Sequence, residues 1–332
     1  MFKVLTKKNK SEKIKLAIYT GQNKGGLKKA NELLRDKLRK NAGDKIFIYE
    51  TQSFFEALNS DVLIVSFRNL TLAIFRALLK KKTIIYFHGF PILRHYNLAR
   101  YILLSAVYVI FNKIAFAKIY NSKFTKSFAQ THKTSINDFV IYPMFSEVKF
   151  SLNLPQPRFV YFGRIDEAKR VDVALQIVRK VHEKNPEIAP LIHTFGKVSP
   201  KYKYRFDKLL QTEQVKWHGE YKSYEELKKH THNSICLFCN ELETFGVVFQ
   251  EAMMLNMVPL VPSSCGFAEV LSNGDLKYDP DNTTQAAEKI LDLLNYKSGL
   301  NLKLHDNSDT ENFISFLINS FEIRRKNPNS KP

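Results

Sequence analysis

Short β-branched and aromatic runs alternate with amphipathic segments along the first half of the chain. IKLAIYT (14–20), KIFIYE (45–50), DVLIVS (61–66), TIIYFHG (83–89), KIYNS (118–122) and FVIYPMF (139–145) read as strands. Between the first two, GLKKANELLRDKLRKN sets Leu27, Ala30, Leu34 and Leu38 on one stripe at helical spacing. Repeats of this kind predict βα units around a parallel sheet. The polar, proline-containing stretch SLNLPQP (151–157) interrupts the pattern, which restarts with FVYFGRI, LIHTFG, VKWHG, ICLFCN and VPLVPS. The pattern thus predicts a basic tail over 1–12, a first Rossmann-like domain over 13–150 and a second over 158–309. ENFISFLINSFEIRRK (311–326), inside a terminal segment 310–332, is expected to be a helix packing back on the first domain. Two doubly wound domains facing across a cleft bind ligands at the carboxyl ends of their strands, so the ligand is expected between them.

A chain of 332 residues with 44% hydrophobic content holds enough apolar material for two cores. Three cysteines, Cys236, Cys239 and Cys265, are too few and too clustered for a disulfide framework and fit a reducing cytoplasm. MFKVLTKKNKSEKIK is basic but has no apolar run of a signal peptide. Charge separates the halves: residues 1–150 carry 27 Lys+Arg against 9 Asp+Glu, or +18, and the remainder 24 against 23, or +1. A basic half beside a neutral one points to a polyanionic surface partner for the first half, either nucleic acid or anionic membrane.

The strongest chemical signal is ELETFGVVFQEAMMLNMVPLVPSSCGFAE (241–269). It follows a buried strand and is expected to open a helix whose first turn holds Thr244, Phe245 and Gly246, with Thr244 as cap and Gly246 admitting a ligand to the backbone N–H groups. Glu251 would lie on the same helix as Glu243, a little over two turns on, so that both carboxylates face one crevice and suit vicinal hydroxyls. A lone Glu-x7-Glu is equally a first-turn acid and a surface residue. The balance shifts with FVYFGRIDEAKR (159–170), where a strand runs into Gly163 and Arg164, and Lys169 is expected to begin the next helix. Two cations at a strand end neutralise the charge that a departing diphosphate develops, without a metal.

Gly163-Arg164-x4-Lys169, Glu243-x-Phe245-Gly246-x4-Glu251-Ala252-Met253 and Gly266-x2-Glu269 together resemble the second domain of the large retaining glycosyltransferase family four, of GT-B fold. The first domain is similar too: Gly25-Gly26 follows the first strand, His88-Gly89 ends the fourth, and IYNSKFTKSF (119–128) takes the place of that family's strand, serine and helix. The resemblance covers residues 13–325 and implies an α/β, GT-B enzyme that moves a sugar from a UDP- or GDP-sugar, with neither metal nor cofactor, to a saccharide or lipid-linked saccharide. Bacterial cell-surface polysaccharide, lipopolysaccharide or glycolipid synthesis is the implied setting. It further implies that Glu251 holds the ribose hydroxyls, that Glu243 and the backbone of Phe245, Gly246 and Val247 hold the transferred sugar, and that Arg164 and Lys169 grip the diphosphate. Gly163 and Gly196 join this donor-binding set, Gly25 and Gly26 let the first loop approach the phosphates, and His88 contacts the sugar. Glu243, Arg164, Lys169 and His88 are the implied catalytic group. Cys239-Asn240 stands where the family usually has Pro-Ser, and Cys265-Gly266 where it has Gly-Gly; neither change removes a donor-gripping group.

The loop GQNKGG has neither a GxGxxG nor a Walker lysine pattern, which disfavours nicotinamide enzymes and P-loop NTPases. Cys236-x2-Cys239 has no second pair to complete a zinc site and reads as core strand, while His230 and His232 are expected to be solvated. RNLTLAIFRALLKKK (68–82) and RHYNLARYILLSAVYVIFNK (94–113) have basic flanks and apolar centres too short to span a bilayer. They suit peripheral attachment to anionic lipid at the inner face of the plasma membrane, with the acceptor on the first domain. The competing readings are a basic binding protein without catalysis and a hydrolase or phosphorylase of the same fold. No nucleic-acid partner is expected, because the basic residues lie on predicted helices and tails rather than among aromatics on a sheet face.

Overall fold

The computed structural model describes residues 13–21, 25–66, 69–89, 98–129, 137–145, 158–240, 242–272, 274–295 and 304–326. The tail over 1–12 and the SLNLPQP stretch lie outside the described residues. The chain divides into two compact units, one made of Met1–Asn121, Phe128–Pro143 and Ser308–Pro332, the other of Ser122–Ser127 and Met144–Asn307. The division therefore follows no single cut: a six-residue piece of the first half clusters with the second unit, and the C-terminal helix with the first.

Unit 1 is a six-stranded parallel sheet in the order β2-β1-β3-β4-β5-β6, built from Ile14–Tyr19 (β1), Ile46–Thr51 (β2), Val62–Ser66 (β3), Lys82–Phe87 (β4), Ala117–Tyr120 (β5) and Asp138–Val140 (β6). FVIYPMF and KIYNS thus give shorter strands than their apolar runs suggest, β6 ending at Val140 and β5 at Tyr120. The first crossover helix, Gly26–Ala42 (α1), runs from β1 to β2. The next three, Phe54–Asn59 (α2), Leu70–Leu78 (α3) and Leu98–Ile114 (α4), carry the chain the other way. Right-handed crossovers then place α1 on one face and α2, α3 and α4 on the other. On the α1 face, Leu16, Ile18, Ile64 and Ile84 of alternate strand positions pack with Leu34 and Leu38 and with Phe313, Ile314 and Leu317 of the C-terminal helix. On the opposite face, Arg76 is wholly buried and donates to the carbonyls of Ala57, Leu58, Ser60 and Lys82, tying α2, α3 and β4 together.

Unit 2 repeats the plan with a sheet in the order β12-β11-β10-β7-β8-β9, from Phe159–Phe162 (β7), Ile192–Phe195 (β8), Val215–Trp217 (β9), Ile235–Leu237 (β10), Val258–Pro262 (β11) and the two-residue edge Lys277–Tyr278 (β12). Its helices are α6 (Val171–Lys184), α7 (Lys203–Leu210), α8 (Tyr224–Thr231), α9 (Val247–Met254) and α10 (Thr283–Asn295), while α5 (Lys123–Ala129) and α11 (Thr310–Lys326) complete the chain. Strand order reverses between β7 and β10, which opens a crevice beyond their carboxyl ends. Cys236, Cys239 and Cys265 are all buried, and burial pushes the Cys239 and Cys265 thiols up to about 12, so they are packing groups. Among the described residues, no helix is long and apolar enough to cross a membrane.

Candidate donor site

Three glycines form the floor of the crevice in unit 2. Gly163, Gly196 and Gly219 follow β7, β8 and β9, and all have positive φ, at 110°, 132° and 83°. Gly163 N–H donates to the Phe195 carbonyl at 2.9 Å, and Gly196 N–H to the Gly219 carbonyl at 2.7 Å. A Cβ on Gly196 would stand 1.9 Å from the Gly163 carbonyl oxygen, so only glycine lets these two loops touch.

Beyond β7 the chain runs through Arg164 and a 3-10 turn, Glu167–Lys169, before α6 begins at Val171. Lys169 therefore precedes the helix that the sequence reading gave it, because Arg170 in the left-handed region (φ 51°) separates turn from helix. From there the Lys169 ammonium reaches across the strand reversal to Glu243, donating to its Oε2 at 2.9 Å. The buried Asn240 amide donates to the same oxygen. Arg164 stays 70% exposed, its Nε 2.6 Å from Asp166.

Glu243 is not on α9. It forms an isolated parallel bridge with Cys265, and Gly266 N–H donates to its carbonyl. Thr244 and Phe245 also lie ahead of the helix, and no side chain caps it. The expectation of one helix carrying both glutamates, with Thr244 as its cap, is thereby overturned. The physical reason is Gly246: its φ of 85° breaks the helical path, and a Cβ there would come within 2.5 Å of the Phe249 ring. Val247 is the first helical residue; Phe249 N–H donates to the Gly246 carbonyl at 3.0 Å, which leaves the N–H groups of Val247 and Val248 pointing ahead of the helix without an intrahelical acceptor.

Glu251, one turn into α9, has a partner of its own. The Tyr224 hydroxyl donates to its Oε1 at 2.6 Å. Burial first, and then the adjacent carboxylate, raise the Tyr224 phenol above its ordinary range; the same causes push Tyr221 up to about 12. Tyr224 opens α8, where Ser223 accepts the Glu226 N–H and the Glu226 carboxylate accepts that of Lys222. Tyr224 is the residue that sequence reasoning missed. Its signal was available in Ser223-Tyr224-Glu225-Glu226, a capping-box pattern that fixes the tyrosine at a helix start.

Beside Tyr221 lies a small cavity of about 90 Å3 bounded by Phe195, His218 and His230. His218 stacks on Phe195 at 4.5 Å, and its Nε2 is 2.9 Å from Nδ1 of His193. Burial, then His218, lower the His193 pKa to about 4, so the pair is neutral near pH 7. His230 is exposed, as expected, with its ring centroid 6.0 Å from that of His218.

Gly266 and Glu269 do different work from the donor residues. Glu269 accepts the N–H groups of Lys123 and Phe124 at the start of α5, and Ser122 Oγ donates to the Thr244 carbonyl at 2.5 Å. A Cβ on Gly266 would meet Ser122 at 2.6 Å. This is why Ser122–Ser127 clusters with unit 2. Gly25, Gly26 and His88 belong to unit 1. The first two start α1 with open space where a Cβ would sit, and His88 ends β4 with its ring 3.8 Å from that of Tyr86. Among the described residues, no group of three or more His, Cys, Asp or Glu side chains converges as a metal site would require.

Residues 145–309 match the protein family described as Glycosyl transferases group 1. No curated protein sequence matches the chain. Among solved structures, the chain is similar to Anabaena Alr3699/HepE in complex with UDP at 15% identity, over 94% of each chain, with a TM-score of 0.63. It is also similar to an E. coli structure described as trehalose-6-phosphate bound with UDP-2-fluoro glucose, at 10% identity over 94% of this chain and 96% of that one, with a TM-score of 0.61. The apo lipopolysaccharide outer core galactosyltransferase WaaB aligns at 14% identity over 83% and 89%, with a TM-score of 0.54. The chain thus has the two parallel-sheet α/β domains of the GT-B fold, and its second unit carries the match to glycosyl transferases group 1.

Proposed function

We propose that this protein is a retaining glycosyltransferase, of the type of family four, that takes its sugar from a UDP-sugar and works without a divalent metal. The observation that carries the proposal is the Lys169–Glu243 pair at the strand reversal of unit 2, within the region matching group 1. UDP is the favoured nucleotide because Alr3699/HepE is described in complex with UDP and with UDP-glucose.

In this reading Lys169 uses one of its three N–H donors on Glu243 and turns the others, with the exposed Arg164 fork, to the diphosphate. The first-turn N–H groups of Val247 and its neighbour add fixed positive potential. Glu251, held by Tyr224, accepts from the ribose hydroxyls, and Glu243 from the sugar. The bond between the anomeric carbon and the β-phosphate oxygen breaks, and an acceptor hydroxyl oxygen bonds to that carbon on the same face. Its proton passes to the departing phosphate, giving UDP and the glycoside. Cations and backbone dipoles that stabilise the leaving charge supply the rate enhancement. The acceptor class that fits is a saccharide or lipid-linked saccharide of the cell surface.

Thermal shift with UDP-glucose, UDP-N-acetylglucosamine and GDP-mannose in EDTA tests the donor site. Stabilisation by a UDP-sugar, undiminished by chelator, is expected. Stabilisation by none, or only after metal is restored, defeats the proposal. UDP release without a glycosylated product across a panel of saccharide acceptors would assign hydrolysis instead.

A further inference from the structure

Unit 1 has an unbalanced face. From Val62 to Asn121 the sequence contains 9 Lys+Arg and no Asp or Glu. Three of these cations are taken up inside: Arg76 is buried, the Lys82 ammonium donates to the Ser320 carbonyl, and Lys118 lies 3.5 Å from Asp138. Lys80, Arg100 and Lys113 are exposed, at the end of α3 and towards both ends of α4.

Between them stands apolar surface that the sheet does not cover. On α4 only Tyr108 and Phe111 are buried, while Leu98, Ile102 and Leu103 are 63%, 58% and 64% exposed. On α3, which packs against α4, Leu78 and Phe75 are 74% and 48% exposed. Phe54 of α2 meets Phe75 edge-on at 5.9 Å, with Phe55 beside it 75% exposed. Three adjoining helices on one side of a sheet therefore present large apolar side chains together, beyond the scattered exposure normal for a soluble surface.

We propose that the α2–α3–α4 face docks on an anionic lipid bilayer, with Phe55, Leu78, Ile102 and Leu103 entering the headgroup–acyl boundary and Lys80, Arg100 and Lys113 against the lipid phosphates. Lys80, Arg100 and Lys113 outnumber the one acid of these three helices, the exposed Glu56 of α2, so the charge around the apolar stripe is net positive and selects this occupant: a nucleic acid has no use for the leucines, and a second copy would set net like charges together. Such docking would set the protein at a lipid surface, within reach of a lipid-linked acceptor. The proposal does not depend on the donor assignment.

The test is sedimentation of the full chain with phosphatidylcholine vesicles, with and without phosphatidylglycerol. Binding is expected only with phosphatidylglycerol, weakened by salt. Ile102→Ser/Leu103→Ser and Phe55→Ser/Leu78→Ser should each reduce it roughly tenfold or more, from the lost apolar burial. The thermal unfolding midpoint, read on the same variants, should be retained, which separates loss of docking from loss of fold. Emission from an Ile102→Trp variant should shift to the blue on anionic vesicles. Equal binding to both vesicle types, binding untouched by the serine pairs, or a lipid-free dimer that the serine pairs dissolve would each overturn the proposal.

Discussion

Two helices that connect neighbouring parallel strands, α4 in unit 1 and α6 in unit 2, have opposite fates. Of the 14 residues of α6, seven are buried, and its polar residues face water. Of the 17 residues of α4, two are buried, although it is the more apolar of the two. The contrast shows that apolar content and burial are separate quantities. α6 is covered by α10 as well as by its sheet, whereas α4 packs against α3 and carries an apolar surplus that stays at the surface.

Substitutions sharpen this contrast, the largest effects falling in unit 2. Gly196→Ala sets a Cβ against the Gly163 carbonyl, and should cost several kcal/mol or prevent folding, as read by urea denaturation. Ile177→Ala, in the sealed stripe of α6, should cost about 2–5 kcal/mol, whereas Ile102→Ala on α4 should stay within about 0.5 kcal/mol. Equal losses at the two positions would show that α4 is packed as α6 is.

Lys169→Ala should lower kcat about 100- to 1000-fold with the fold intact, since it removes a cation that acts on the leaving diphosphate. Tyr224→Phe removes only the hydrogen bond to Glu251 and should weaken UDP binding by about 1–2 kcal/mol while leaving kcat nearly unchanged. A fall in kcat with unaltered UDP affinity would refute its positioning role.

The smallest effect concerns pH. His193 has a folded pKa of about 4, below the ordinary 6.5 of an unfolded histidine. Between these values the unfolded chain binds more protons, so this contribution to stability is full above pH 6.5 and falls as the pH drops towards 4. His193→Gln should flatten that limb of a stability–pH profile. An unchanged slope would mean that burial, with His218 beside it, does not lower the titration of His193.

Much of this fold was legible from local rules. Strand cores such as IKLAIY and VLIVS stand out because a parallel strand buried on both faces reads as a continuous apolar run. The terminal helix was visible in the spacing of Phe313 and Leu317. The edge strand β12, two residues long, carries no such signal. At the candidate site, the sequence named the motif residues, but the geometry that joins them was misread. Helical spacing put Glu243 and Glu251 on one face, because periodicity does not register a left-handed glycine between them. Ser122 gave no hint of its destination, since the groups that hold it are more than a hundred residues away.

By itself the sequence determined two repeated βα sheets, the one-sided charge of the first half and the cluster of glycine, cations and acids that marks the second. Those properties are local in the chain, set by side-chain period and composition. Only the tertiary structure decided which acid meets which donor: Lys169 with Glu243 across the β7–β10 reversal, Tyr224 with Glu251 from a separate helix. It decided equally that the apolar surplus of α4 stays outside. Long-range packing assigns partners and covered area, and neither is written in the spacing of residues along the chain.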